Sequence, residues 1–209
     1  MPLLSATRET LAASLWPLPA AAPPSRRALR NVTLAVAGSL LLWLSAKLHV
    51  PMYPVPMTFQ TFAVLVIGMA FGARLGAATV LLYLAEGAAG LPVFSGTPEK
   101  GIGIAYMLGT TGGYLLGFVL AAGLCGWLAE RGWDRSVIGT ITAMVYGNLV
   151  IYLPGLLWLG TLLGWDKPIL AWGLTPFLLG DLLKLALAAA VLPLAWRLIG
   201  RLNGTHRSG

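Results

Sequence analysis

Residues 176–196 read PFLLGDLLKLALAAAVLPLAW, and the fold turns on how this stretch is placed. Asp181 and Lys184 are its only charged residues; most of the rest is Leu, Ala and Val. An apolar helix of about 20 residues is long enough to cross the hydrocarbon core of a bilayer. Charges inside such a helix are costly unless they pair or serve a ligand. Positions three apart lie on one helix face, so Asp181 and Lys184 meet. They form either an internal ion pair or part of a binding site. Ionisable residues within spans usually face a cavity, which favours the second. The pair suits a ligand whose N–H groups an Asp accepts and whose carboxylate a Lys attracts.

The rest of the chain agrees with a membrane setting. Of 209 residues, 57% are hydrophobic and only 10% charged, against about 25% charged in a soluble domain. At roughly 20 residues per span, about six spans fit. The net charge of +7 comes from basic residues at span ends, where topology explains them, so no nucleic-acid partner is expected. Cys125 is the single cysteine. It forms no internal disulfide and is no metal site by itself.

The expected spans cover residues 29–49, 58–71, 75–90, 104–130, 137–163 and 170–199. Between the first two, VPMYPVPMTFQ (residues 50–60) holds three prolines. Each keeps its preceding residue out of helix, so an extended loop is expected. LPVFSGTPEKGIG (91–103) reads as a longer loop rich in Gly and Pro. Residues 1–28 are expected as a disordered cytoplasmic tail with room for a short surface helix at 10–16. Pro17 and Pro19 interrupt its apolar run, against a signal peptide. Residues 29–200 form one six-helix transmembrane domain, and 201–209 a second cytoplasmic tail. With both termini in the cytoplasm, Arg8, Arg26, Arg27, Arg30, Arg74, Arg131, Arg135, Arg197, Arg201 and Arg207 lie inside. Only Lys47, Lys100 and Lys167 lie outside. That bias is the positive-inside pattern, and Lys184 is the basic residue left within a span.

Further polar and aromatic residues within spans are candidate ligand contacts. Asn148 and Tyr152, in YGNLVIYLPG, share a helix face, although Asn in a span also serves interhelical hydrogen bonding. Tyr114 follows a Gly pair in GTTGGYLLGF. The pair allows close helix packing or the approach of a flat ligand to the backbone. Gln60 follows the Pro-rich loop, where it could line a lid. Glu86 is expected at the outer interface. In the first span Ala35 and Ser39, with Thr33, Ala37 and Gly38 nearby, form small-residue stripes. These suit internal packing or docking to another membrane protein. No Lys follows a Gly, so there is no P-loop. No His lies deep in a span for a serine protease, and no HExxH or Cys/His cluster offers a metal site. An enzyme has little to stand on.

Four stretches in order resemble the BioY family, the biotin-binding S components of energy-coupling factor transporters. They are PVPMTFQTFAVLVIG (54–68), YLAEGAAGLPVFSG (83–96), GTTGGYLLGF (109–118) and PFLLGDLLKLALA (176–188). The resemblance spans residues 34–198. It implies an all-α, six-helix S-component bundle in the cell inner membrane, with a ligand site near the outer face. It implies capture of biotin as transported ligand, with no cofactor. A transmembrane coupling protein and two cytoplasmic ATPases are the implied partners, beside membrane lipids. The last-helix Asp and Lys that the family ties to biotin match Asp181 and Lys184. The first-helix small-residue pattern that contacts the coupling protein appears as Ala35 and Ser39. On this reading Asp181 accepts from the ureido N–H groups, a role Asn148 can share, and Lys184 meets the carboxylate; the reverse order also fits. Tyr114, Tyr152, Trp158 and Phe94 are available as walls. The competing readings are an S component for another vitamin, a membrane enzyme, and a scaffold in which Asp181 and Lys184 simply pair.

Overall fold

Glycine and proline divide this apolar chain into helices, and the helices pack where small residues let backbones touch. The computed structural model describes residues 8–19 and 21–205. Its helices are α1 (Leu11–Leu15), α2 (Pro24–Lys47), α3 (Gln60–Phe71), α4 (Ala73–Ala88), α5 (Gly103–Met107), α6 (Gly112–Ala129), α7 (Val137–Leu163), α8 (Ile169–Gly173) and α9 (Leu178–Thr205). A two-residue antiparallel hairpin, β1 (His49–Val50) with β2 (Met57–Thr58), pairs His49 with Thr58 and Val50 with Met57. Among the described residues, four helical segments are long and apolar enough to cross a membrane: α2, α6, α7 and the stretch Ile169–Arg201. The helices α3 and α4 are shorter. Gly72, at φ +85°, turns the chain sharply between them.

The bundle is built around α6, which packs most extensively against α7 and also against α3 and α4. A Cβ added to Gly113 would stand 2.2 Å from the Pro154 carbonyl oxygen of α7, and one on Gly117 2.7 Å from Ile151 Cα. One added to Gly68 of α3 would lie 2.5 Å from the Ala122 carbonyl oxygen of α6. Only glycine permits such approach, the usual way helices associate in lipid. On α9 the buried residues are Asp181, Lys184, Ala188, Ala189, Leu192, Pro193 and Ile199 among the described residues. Their helical spacing makes one inward stripe. Leu178, Leu179, Leu182, Leu183 and Leu187 are exposed on the rest of the helix.

Several expectations need correction. The fourth expected span is α5 and α6, broken by the residues 108–111 between them. The sixth is α8, a 3-10 turn (Thr175–Phe177) and α9. Proline at 176 removes a helical N–H donor there. The short helix for which residues 10–16 left room forms as α1, but it is packed on the bundle rather than lying on its surface. Thr10 caps α1, Leu11 and Ala12 are buried, and α1 packs on α3 and α9. The Arg8 N–H donates to the Glu130 carbonyl at 2.7 Å and Arg135 to the Glu9 carbonyl at 3.2 Å. Two adjacent apolar residues with a cap gain more by burial under the bundle than by solvation. The first long helix starts at Pro24 rather than residue 29. Helix α9 runs into the expected C-terminal tail, as far as Thr205. Residues 1–7 and 206–209 lie outside the described residues.

Candidate ligand-binding cavity

The inward stripe of α9 meets α3, α6 and α7 at one cavity, closed above by the two Pro- and Gly-rich loops. The first loop contributes Val55 and Pro56, and the Thr110 hydroxyl holds it by donating to the Pro54 carbonyl at 2.7 Å. The second contributes Phe94 and Ser95. Lys47 anchors it from the end of α2, donating to the carbonyls of Pro92 at 2.8 Å and Phe94 at 3.2 Å. The Tyr106 hydroxyl adds a bond to the Ser95 carbonyl at 2.8 Å. Phe94 and Tyr106 stack with centroids 4.8 Å apart. Gly87 makes room for them, since a Cβ there would meet the Phe94 ring at 2.1 Å. The space, with its mouth, amounts to about 560 Å³.

The Asp181–Lys184 pair is almost fully buried in its wall. Lys184 Nζ donates to Asp181 Oδ1 at 3.2 Å and to Thr61 Oγ1 at 2.8 Å. The Tyr152 hydroxyl of α7 donates to Asp181 Oδ2. An ammonium has three donors, and a carboxylate about four acceptor sites. One Lys184 donor and about two Asp181 sites therefore lack a partner among the described residues. Withdrawing two charges from water costs several kcal/mol per ion unless their remaining valences are met. A ligand in the cavity would meet them.

Five of the six expected contact residues line this space: Asp181, Lys184, Tyr114, Tyr152 and Gln60. Tyr114 is fixed by donation to the Gly173 carbonyl at 2.9 Å. Gln60 Nε2 donates to the Tyr83 hydroxyl at 2.7 Å, which in turn donates to the Val93 carbonyl at 2.9 Å. Asn148 is not part of the lining; it is half-buried one turn before Tyr152 on α7. Among the expected walls Phe94 lines the cavity. Trp158 lies outside its lining, its indole N–H donating to the Gly109 carbonyl at 2.9 Å. Of the two expected docking residues, Ser39 turns inward. It is 1% exposed and donates to Glu86 of α4. Ala35 is half-buried. Glu86, which accepts the Ser39 bond, is half-buried.

Sequence reasoning missed Ser95, Thr61, Tyr106 and Thr111, which all line the cavity. Ser95 is the most informative, for its Oγ is buried with no hydrogen-bond partner among the described residues. A buried hydroxyl left unpaired is costly, which makes Ser95 a candidate ligand contact. The only trace of it in sequence is its position in PVFSG, a loop with no periodicity to read.

The sequence profile of the BioY family matches residues 17–201. A protein of Pyrococcus horikoshii described as a probable biotin transporter BioY is 35% identical over 162 residues, covering 78% of this chain and 93% of the relative. A biotin transporter BioY of Thermotoga maritima is 34% identical over 163 residues, covering 78% and 94%. The fold is similar, at a TM-score of 0.64 and 22% identity, to a crystal structure of the S-component for biotin from an ECF-type ABC transporter. That likeness covers 88% of this chain and 95% of the other.

Proposed function

This chain belongs to the BioY family, and on that premise we propose that it is a biotin-capturing S component for uptake into the cytoplasm. The observation that carries the proposal is the buried Asp181–Lys184 pair, with valences to spare, in a cavity otherwise walled by aromatic and aliphatic side chains. Few placed polar groups in an apolar site suit one small amphipathic ligand. Biotin offers a ureido ring, whose N–H groups Asp181 accepts, and a valerate carboxylate, which Lys184 attracts. Tyr114, Tyr152 and Phe94 bound the fused rings, while Gln60 and the open Ser95 hydroxyl offer further polar contacts. Relatives described as biotin transporters support this ligand over another vitamin. Capture and release break no bond in biotin, so no catalytic residue is assigned.

In this reading α2, α3, α4, α6, α7 and α9 are six spans of the cell inner membrane, with both termini in the cytoplasm. The Arg bias of the inside loops supports that orientation. The short α3 and α4 are accommodated by tilt or local thinning of the bilayer. Energy comes from partner chains, a coupling protein and two ATPases, since this sequence has no P-loop. The face of α2 open to a membrane partner carries Thr33 and Ala37 rather than Ser39. The test is uptake of labelled biotin by cells lacking their own transporter. Expression of the chain with a coupling module raises uptake, and Asp181→Ala with Lys184→Ala abolishes the gain. Uptake unchanged by the folded, membrane-inserted chain would refute the proposal.

A further inference from the structure

We infer that the site accepts, besides the free acid, uncharged amides and esters of that acid bearing an unbranched apolar substituent, which lies in a groove outside Lys184. The inference rests on the biotin-binding reading above, with the carboxyl end of the ligand at Lys184.

A second concavity, of about 590 Å³ with its open side, adjoins the cavity. The hairpin β1–β2 and its flanks form one wall through Leu48, His49, Val50, Met57 and Phe59. Two residues, Thr58 and Lys184, line both spaces. The partition is therefore one side chain thick on each side, and on the α9 side it is a flexible lysine stem. Gly180 brings the hairpin onto α9 at this boundary, since a Cβ there would lie 2.9 Å from Met57 Sδ. Lys184 thus stands between a carboxyl group in the cavity, where its ammonium bonds Asp181 and Thr61, and a chain in the groove.

The chemistry of the groove selects the substituent. Leu48 and Val50 are 65% and 56% exposed, so an alkyl chain laid on them covers apolar surface that the fold leaves open. No carboxylate lines the groove to attract a cationic extension. Lys184 has a donor left that can serve an amide or ester carbonyl as well as a carboxylate. The bond to a neutral acceptor is weaker than the charge-assisted one.

The experiment is calorimetric titration of the purified full chain in detergent with biotin and its N-methyl, N-butyl and N-hexyl amides. The methyl amide is expected to bind about ten- to a hundredfold more weakly than biotin, having lost the ionic contact. The butyl amide is expected to recover at least about tenfold over the methyl amide by burial of three methylenes. Val50→Trp fills the groove and should flatten this dependence on chain length while leaving free biotin unchanged. Leu48→Trp serves the same end if the first variant does not fold. Biotin binding with no amide binding would overturn the inference and leave the biotin reading standing. A length dependence that survives both tryptophans would also overturn it, because the chain then lies in the micelle or elsewhere. Failure of biotin itself would overturn the proposed function and the inference together.

Discussion

Replacing Lys184 by Met separates the two roles that a buried ion pair can have. Its side chain is 9% exposed and that of Asp181 7%, with 3.2 Å between Nζ and Oδ1. At an effective dielectric of about 20, the attraction at that distance is about 5 kcal/mol, set against the desolvation of both ions. Removing one member of a buried pair costs about 3–5 kcal/mol, because the other is left as an uncompensated charge. The Tyr152 hydroxyl still donates to Asp181, so the lower end of that range is expected for Lys184→Met. Adding Asp181→Asn removes the orphaned charge and keeps an oxygen for Tyr152 to bond. The double variant should recover most of the lost stability, to within about 1 kcal/mol of the parent. Ligand binding should behave in the opposite way. Lys184→Met alone loses a charge-assisted contact, about 10- to 150-fold in affinity, and the double variant should bind more weakly still. Thermal unfolding in detergent gives the stabilities, and biotin titration the affinities. A double variant that binds biotin within about threefold of the parent would refute the reasoning and make the pair purely structural.

Other outcomes follow from single sites. Ser95→Ala should leave stability unchanged or slightly raised, because its Oγ has no partner in the fold. It should weaken biotin binding by about fivefold, the worth of one hydrogen bond, by titration. Gly113→Ala forces a Cβ against the Pro154 carbonyl. It should lower stability by about 1–3 kcal/mol, read as a drop in melting temperature. Asp134, in the turn before α7, accepts from the Trp196 indole at 2.6 Å while its Oδ1 has no partner among the described residues. Burial pushes its carboxyl above the usual range, opposed by the Trp196 bond and by Arg135 and Arg8. The folded state then holds its proton more tightly than the unfolded state, so this group lowers stability as pH rises from the ordinary carboxylate range through the raised value. Asp134→Asn should therefore melt at a higher temperature than the parent at pH 7, and the gap should narrow as pH falls towards 4. A gap independent of pH would contradict this assignment.

The sequence made some of these features legible and hid others for physical reasons. Helix α7 runs over Val137–Leu163, the span expected from a continuous apolar run between the Gly-containing turns RGWDR and GWDKP. Asp181, Lys184 and Tyr152 were readable as candidates for one polar cluster because polar groups stand out against hydrocarbon-length helices, and they meet in the structure. The break before α6 was not readable, since hydropathy averages over the four residues 108–111 and Leu, Gly and Thr fit a span as well as a turn; the break before α9 was marked in sequence only by Pro176, which a span also tolerates. Ser39 and Asn148 show a second limit. A polar residue on a helix advertises a contact, yet which neighbour it faces depends on packing that only tertiary structure sets. Ser39 meets Glu86, and Asn148 falls one turn short of the cavity. The loop residues Ser95 and Thr111 carry no periodic signal, so their convergence on the site appears only once the helices have brought the loops together.

The most direct test of the central claim is titration of biotin into the purified, folded chain in the absence of any partner subunit. The account predicts saturable binding of one biotin per chain, weakened by about tenfold or more in Asp181→Ala and in Lys184→Ala (at least about 1.4 kcal/mol). Folded protein that takes up no biotin, or variants that lose stability while binding as the parent does, would contradict it.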